Sequence, residues 1–360
     1  MLGWLTRRWK TSAEVAPPVS PGDEALPTTD TELGAEVDLP PGTEAFAVAW
    51  NTLEAAGEGV VVIDPAPISE STQTLIDLLQ PLMREHFASD PPTPAAFPAV
   101  AVQVLSLLEK EDPELSALLG LISQDPALTM QVLQVANSAY YHRGSEIQEL
   151  QAAVMKMGVV ATGEVVTAIA GRTLFDPSLR AEMERFNTRM RDLYQGSLSI
   201  AFAAREFSEQ SRLGKSHQLF LAGIFHDIGH TLSLRVLAAL MVAGQVPNNL
   251  PTLALDALCE RNHVAMGIAA QAIWDLPPYL RAICAEHHEP TVPRGDDQQN
   301  LHVLRVVSGL HRLAVDASNP SHASETRQSL RALGLDRAAA WDLFQRVMVH
   351  RARVKEMFPI

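Results

Sequence analysis

Cysteine is almost absent from this chain of 360 residues, with only Cys259 and Cys284 present. Two cysteines outside a Cys-x-x-Cys pair cannot build a disulfide framework, and both read as small core residues of a protein in a reducing compartment. Basic residues are also in deficit: 28 Lys+Arg face 42 Asp+Glu, a formal net charge of −14 and a pI near 5.3. That balance excludes the broad basic surface of a nonspecific nucleic-acid binder, so no nucleic-acid partner is expected. Long apolar runs are missing; the stretch Gly59-Val60-Val61-Val62-Ile63 falls far short of the ~20 residues that cross a bilayer. No membrane span is expected. No secretory-length apolar core or small-residue cleavage site follows the basic start Met1–Lys10, and a cytoplasmic location is expected. The Gly-x-x-x-x-Gly-Lys phosphate loop, the Gly-x-Gly-x-x-Gly fingerprint and the Gly-x-Ser-x-Gly elbow are all lacking. Nucleoside-triphosphate hydrolysis and serine-hydrolase chemistry lose support with them.

What is present is globular: 47% hydrophobic and 19% charged residues, in a length that allows about two domains. The first ten residues carry Trp4, Trp9, Arg7, Arg8 and Lys10, and read either as a frayed end or as a short amphipathic helix that touches a membrane or a partner. Between Thr11 and Ala45 stand eight acidic residues, no basic ones and the pairs Pro17-Pro18 and Pro40-Pro41. Such a segment buries too little apolar surface to offset its chain entropy, so residues 1–45 are expected to be a disordered acidic arm. Residues 46–89 form a small N-terminal extension, with a short strand expected at Val60–Ile63 and a helical stripe of Leu75, Leu78, Leu79, Leu82 and Met83. Pro91-Pro92-Thr93-Pro94 closes it.

Beyond that point the apolar spacing is helical almost throughout. Asp112-Pro113 and Asp125-Pro126 predict helix starts, with Asp at the N-cap and Pro at the first helical position. Gly158 predicts a helix end, Val159–Leu174 a buried helix, Asp176–Leu213 a long polar one, and Asp336–Met357 the last. Leu219–Leu234 reads as one apolar helix containing His226-Asp227. The expected fold is all-α: a two-lobed helical bundle with an N-terminal lobe at 90–190, a histidine-bearing lobe at 191–360, and minor β structure confined to the N-terminal extension.

Eight of the twelve histidines lie between His217 and His311. His226 and His230, four apart, would share a helix face beside Asp227, and imidazole with carboxylate suits Zn, Fe or Mn. A structural histidine pair gives the same spacing. Asn137, Tyr140 and Tyr141 at the end of a helix read as a ligand or partner surface, or as capping and core packing. Arg346, His350, Arg351, Arg353 and Lys355 on the last helix read as a solvated face, or as a contact for an anionic partner or the acidic arm.

The doublet His226-Asp227 followed by His230, together with Ala285-Glu286-His287-His288-Glu289-Pro290, resembles the HD superfamily of metal-dependent phosphohydrolases. More specifically, Leu121-Ile122-Ser123-Gln124-Asp125-Pro126-Ala127-Leu128, running on through Asn137-Ser138-Ala139-Tyr140-Tyr141, resembles the HDOD family, the HD-related output domains of bacterial signalling proteins. The resemblance covers roughly residues 90–315. It implies a first metal histidine where this chain has Gly196, and a closing aspartate near Ser308–His311, where no aspartate stands. It also implies second-metal ligands at Asp227, His263, His287 and His288, with His226 beside them, so a single divalent Fe, Mn or Zn remains chemically reasonable where hydrolysis does not. The implied function is non-enzymatic regulation, with no cofactor or one such metal, and with signalling proteins or a nucleotide second messenger bound in the cleft between the lobes. The alternative is a metal-dependent phosphohydrolase or cyclic-dinucleotide phosphodiesterase with a residual HD site.

Overall fold

The computed structural model describes residues 42–57, 69–91, 98–110, 112–141, 144–175, 181–289, 297–318 and 323–358, with residues 292 and 295 between them. The acidic arm up to residue 41 and the expected strand at Val60–Ile63 lie outside the described residues. Among the described residues every regular element is helical, and no single helix is long and apolar enough to cross a membrane. In order they are α1 (Thr43–Gly57), α2 (Glu70–Ser89), α3 (Ala99–Leu108), α4 (Leu115–Ser123), α5 (Pro126–Ala136), α6 (Leu150–Met157) and α7 (Val159–Phe175). A 3-10 turn at Ala181–Phe186 leads into α8 (Asn187–Ser211), α9 (Ser216–Phe225), α10 (Ile228–Val242) and α11 (Thr252–Ile273). Then come α12 (Pro278–Glu286), α13 (Gln298–Val315), α14 (Ala323–Ala332) and α15 (Arg337–Met357).

Local chemistry sets several boundaries. Asp125 caps α5 by accepting hydrogen bonds from the amides of Ala127 (2.8 Å) and Leu128 (3.2 Å), with Pro126 at the first helical position, where a missing N–H costs nothing. Asp336 caps α15 through the amide of Ala339 at 2.9 Å. Gly158 ends α6 with φ +89°, a backbone conformation that glycine adopts without steric cost. Asp112-Pro113 only precedes a helix: Glu114 stands at the N-cap of α4, without a side-chain capping bond.

The core is organised around α8, which packs on α9, α13 and α15, while α10 lies along α11 and α2 covers that pair. Phe202 of α8 and Phe220 of α9 are fully buried and meet edge to face at 5.1 Å; burying each ring contributes about 1.5–3 kcal/mol. Two glycines let helices approach to backbone contact. A Cβ on Gly223 would lie 2.5 Å from Ala201 Cα, and one on Gly229 would lie 1.7 Å from the carbonyl oxygen of His263. The second contact draws the start of α10 onto α11 and thereby sets the distance between Asp227 and His263.

The basic stripe of α15 divides: Arg353 and Lys355 are exposed, as a solvated face requires, while Arg346, His350 and Arg351 turn inward. His350 is fully buried with Nε2 2.6 Å from Glu206 Oε2 on α8, Arg346 bonds the other oxygen of Glu206, and Arg351 donates to the carbonyl of Ala314 at 2.6 Å. Arg353 lies over the Tyr140 ring, 5.4 Å from its centroid. Burial alone would raise the Glu206 carboxyl, but the bonds from His350 and Arg346 outweigh it and hold it down at about 2.

Two expectations follow. Gly229→Ala, which forces a methyl group into the His263 carbonyl, destabilises the fold by about 1–3 kcal/mol or more in chemical denaturation, well beyond an exposed helical glycine such as Gly120. Because Glu206 is depressed from 4.5 to about 2, its stabilisation is present above pH 4.5 and fades as pH falls towards 2. An acid titration of Glu206→Gln should accordingly lose less stability across that window than the parent chain.

Candidate functional site

The chain reaches its histidine cluster at a break between two helices. α9 stops at Phe225, and Asp227, with φ −106° and ψ 15°, precedes α10. The single apolar helix read across Leu219–Leu234 is therefore two, and His226 and His230 do not share a continuous helix face. The close approach at Gly229 accounts for the break: α10 leaves α9 to lie on α11. The break points the Asp227 carboxylate into the junction of α9, α10, α11, α12 and α13.

Four side chains converge on that carboxylate. Its Oδ1 lies 3.0 Å from His287 Nε2 and 3.7 Å from His263 Nε2; its Oδ2 lies 3.3 Å from His226 Nε2 and accepts a hydrogen bond from Arg312 Nη2 at 3.2 Å. The outer nitrogen of each ring is held by backbone. His263 Nδ1 donates to the Glu260 carbonyl at 2.7 Å, His287 Nδ1 to that of Cys284 at 2.8 Å, and His226 Nδ1 to those of Gly223 and Ala222 at 3.1 and 3.2 Å. A carbonyl oxygen only accepts, so the proton of each neutral ring sits on Nδ1 and the Nε2 lone pair faces Asp227. Three lone pairs then surround an anion. Burial pushes His287 down to about 4, against the pull of Asp227; burial also works against the Asp227 charge, and that carboxyl is held well below the carboxylate range where His226 and His287 carry a second proton on Nε2, with Arg312 adding its charge.

An arrangement of acceptors facing acceptors calls for a cation or extra protons in the middle, and backbone carbonyls holding the far nitrogens are the usual outer support of metal-binding imidazoles. Among the described residues the buried His263 Nε2 has no hydrogen-bond partner. Asp227, His263, His287 and His288 each offer a ligand atom, all within 4.8 Å of one another. His288 is placed by its ring, 3.8 Å from that of His287 and 5.1 Å from that of His263. The residues thus fit one divalent ion with nitrogen and oxygen ligands, as Zn, Fe or Mn takes.

The other half of an HD-type centre is not assembled from these side chains. Above Gly196 sits the imidazole of His311, whose Cε1 lies 3.3 Å from the place a Cβ on residue 196 would take. Burial, with Arg351 and Arg312 nearby, pushes His311 down to about 3. Arg312 brings a permanent positive charge to the second oxygen of Asp227. His230 stacks parallel on His263 at 4.3 Å, with Nε2 3.7 Å from Glu260 Oε2, and burial pushes it down to about 3.

Beside the cluster opens a cleft of about 740 Å³ that His226, Asp227, His230, His311 and Arg312 help to line. All its lining residues fall between Arg189 and Asp316. It opens within the histidine-bearing half of the chain rather than between two lobes, lined by residues of α8, α10, α11 and α13 and of the helix break. Asn137, Tyr140 and Tyr141 stand elsewhere. The Asn137 amide ties the end of α5 to the backbone of Ile147, donating to its carbonyl at 2.8 Å and accepting from its amide at 2.8 Å. Tyr140 packs on Phe202 and Tyr141, and burial pushes the phenols of both tyrosines up, that of Tyr140 to about 12. Sequence reasoning missed Arg312 and the fit of His311 over Gly196. Neither has a local signal, since both depend on how α13 lies against α8 and α10. The doublet itself was visible as a motif.

The HDOD domain model matches residues 95–290. An HDOD domain protein of unknown function from Geobacter sulfurreducens has a crystal structure that aligns with TM-score 0.57 at 20% identity, over 79% of this chain and all of that one. A candidate metal-dependent phosphohydrolase from Shewanella amazonensis SB2B aligns with TM-score 0.55 at 22% identity, over 78% of this chain and 99% of that one. A candidate signal transduction protein from Marinobacter aquaeolei VT8 aligns with TM-score 0.54 at 17% identity, over 87% and 65%. At these identities the likeness is one of fold. An uncharacterized protein of Treponema pallidum (strain Nichols) is 23% identical over 201 residues, 54% of this chain and 38% of the relative, so the chain spans well under half of that protein.

The packing of His311 on Gly196 is open to a double-mutant cycle. A larger side chain at 196, as in Gly196→Leu, destabilises by about 1–3 kcal/mol, and His311→Ala in the same chain returns at least about 0.5 kcal/mol of it. Additive effects in thermal denaturation would contradict the contact.

Proposed function

The chain belongs to the HDOD family, and on that premise we propose that it is a bacterial regulatory module that binds without hydrolysing, with the cleft beside Asp227 as its binding site. The observation that carries this reading is a pair of features around Asp227. Gly196 offers no ligand, and its space is filled by His311; the second carboxylate oxygen bonds Arg312. Phosphoester hydrolysis by such a centre needs a metal-activated water and a second clamp on the phosphate oxygens. The side chains at hand supply neither a first-site imidazole nor a free bridging oxygen.

Asp227, His263, His287 and His288 would hold one divalent ion. When bound, that ion supplies a Lewis-acidic point and a positive charge in the wall of the cleft. The residues do the rest. The three carbonyl-bound rings keep their Nε2 lone pairs turned inward, Arg312 neutralises the remaining carboxylate oxygen, and α10, α11 and α12 are tied together where the cleft begins. The bound species is a signalling protein or a small signalling ligand such as a nucleotide second messenger, in the cytoplasm. The same convergent donors are what a phosphohydrolase would use, which makes hydrolysis the second reading.

One preparation separates the two. Protein expressed with Fe, Mn or Zn is expected to carry close to one ion per chain, and His263→Ala or His287→Ala to weaken its retention by at least about tenfold. The same metal-loaded protein is expected to show no metal-dependent turnover of cyclic dinucleotides or of bis(p-nitrophenyl) phosphate. Turnover at ordinary enzymatic rates, lost in His287→Ala, would establish the hydrolase reading instead.

A further inference from the structure

The walls of the cleft carry five carboxylates, Asp192, Asp227, Asp256, Glu260 and Asp316, against the guanidinium groups of Arg189 and Arg312. Arg189 pairs with Asp256 at 2.5 Å and Arg312 with Asp227 at 3.2 Å, and Arg351 lies behind the lining within charge range of Asp192; three guanidinium groups against five carboxylates still leave the excess negative. Two large apolar side chains of the lining, Leu253 and Val315, stand 49% and 63% exposed. An acidic cleft with an apolar lip suits a basic, aromatic peptide: the rings seat on the lip and the cations meet the carboxylates.

This chain contains one. Leu2, Trp4, Leu5 and Trp9 alternate with Arg7, Arg8 and Lys10, and no acidic residue occurs among the first ten. The residues that follow cannot compete for the same place, because the eight carboxylates between Thr11 and Ala45 would be repelled by the carboxylates of the cleft. The path is short. Thr52 of α1 donates its hydroxyl to the carbonyl of Ala317 at 2.9 Å, directly after the lining residues Val315 and Asp316. α1 begins at Thr43, about 14 Å of helix before Thr52, and the 32 residues 11–42 reach about 100 Å when extended. Tethering at that range gives an effective concentration of order millimolar.

We propose that the segment Leu2–Lys10 docks in the cleft of its own chain, with Trp4 or Trp9 on Leu253 and Val315 and the three cations against Asp192, Glu260 and Asp316, so that an outside ligand must displace it. The proposal rests on the cleft being a binding site but not on a bound metal. At about 740 Å³ the cleft is the size of a small-ligand pocket; it holds one or two anchoring side chains rather than the whole segment.

The test uses the full chain with Leu5 replaced by the photo-crosslinker p-benzoylphenylalanine, irradiated at low micromolar concentration and mapped by mass spectrometry. Intrachain crosslinks to the peptides carrying Leu253 or Val315 are expected. Their yield should fall roughly tenfold, the equivalent of about 1.4 kcal/mol, in the triple variant Arg7→Glu, Arg8→Glu, Lys10→Glu, which leaves every residue of the helical fold untouched. Leu253→Asp with Val315→Asp should lower it similarly. Crosslinks confined to other faces, crosslinks between two copies, capture of lipid from phosphatidylglycerol vesicles in place of the cleft, or no crosslinks at all would each overturn the proposal. Phosphodiester turnover by the same samples reports on the function proposed above independently, so the two failures are told apart.

Discussion

A carboxylate buried at the junction of five helices costs several kcal/mol unless positive charge or donors surround it. Arg312 meets part of that condition for Asp227; the three imidazoles, whose outer nitrogens are already engaged by the backbone, meet the rest only with a cation or added protons between their Nε2 atoms and the carboxylate. Much of the second half of the chain follows from that requirement. The break between α9 and α10 aims the carboxylate inward. The contact of Gly229 with the His263 carbonyl brings α11 within reach, and the short α12 ends where its carbonyls can hold His287. Remove the carboxylate and Arg312 is left facing three lone-pair donors; remove the imidazoles and the carboxylate keeps Arg312 alone.

The same arrangement separates holding an ion from performing hydrolysis with it. An imidazole at 196 would have to occupy the space His311 fills, and a bridging carboxylate oxygen would have to be free of Arg312. On the proposed reading, a glycine with a neutral histidine above it, and an arginine beside the aspartate, leave a wall with one ligand set and an acidic cleft next to it. Binding needs only shape, charge and an anchoring point, all of which remain.

Local rules carried much of the fold. Asp125-Pro126, Asp336 and Gly158 mark real helix boundaries because caps and positive-φ glycines act over three or four residues, and the apolar spacing from Val159 to Leu174 became the buried α7. The helix break at His226-Asp227 was hidden because apolar residues continue through it; what stops the helix is the approach of α11, more than thirty residues away in sequence. Arg346 and His350, the inward part of the basic stripe of α15, looked solvated because their partner, Glu206, is 140 residues distant from Arg346. Of the site, Asp227, His263, His287 and His288 were visible as motif residues and do meet. The contributions of Arg312 and His311 come from helix packing that no local pattern encodes. The cleft's position within the histidine-bearing half likewise depends on how α8, α10, α11 and α13 come together.

The protonation and ligation of the rings around Asp227 give the most direct measurement. Long-range 15N–1H correlation spectra of histidine-labelled protein, recorded metal-free and after addition of one equivalent of Zn, report each ring nitrogen separately. His263 and His287 are expected to carry their proton on Nδ1 in the metal-loaded protein, with Nε2 shifting on addition of the ion. Rings that stay protonated on Nε2 and do not respond to Zn would show that the cluster is a hydrogen-bonded core and not a cation site.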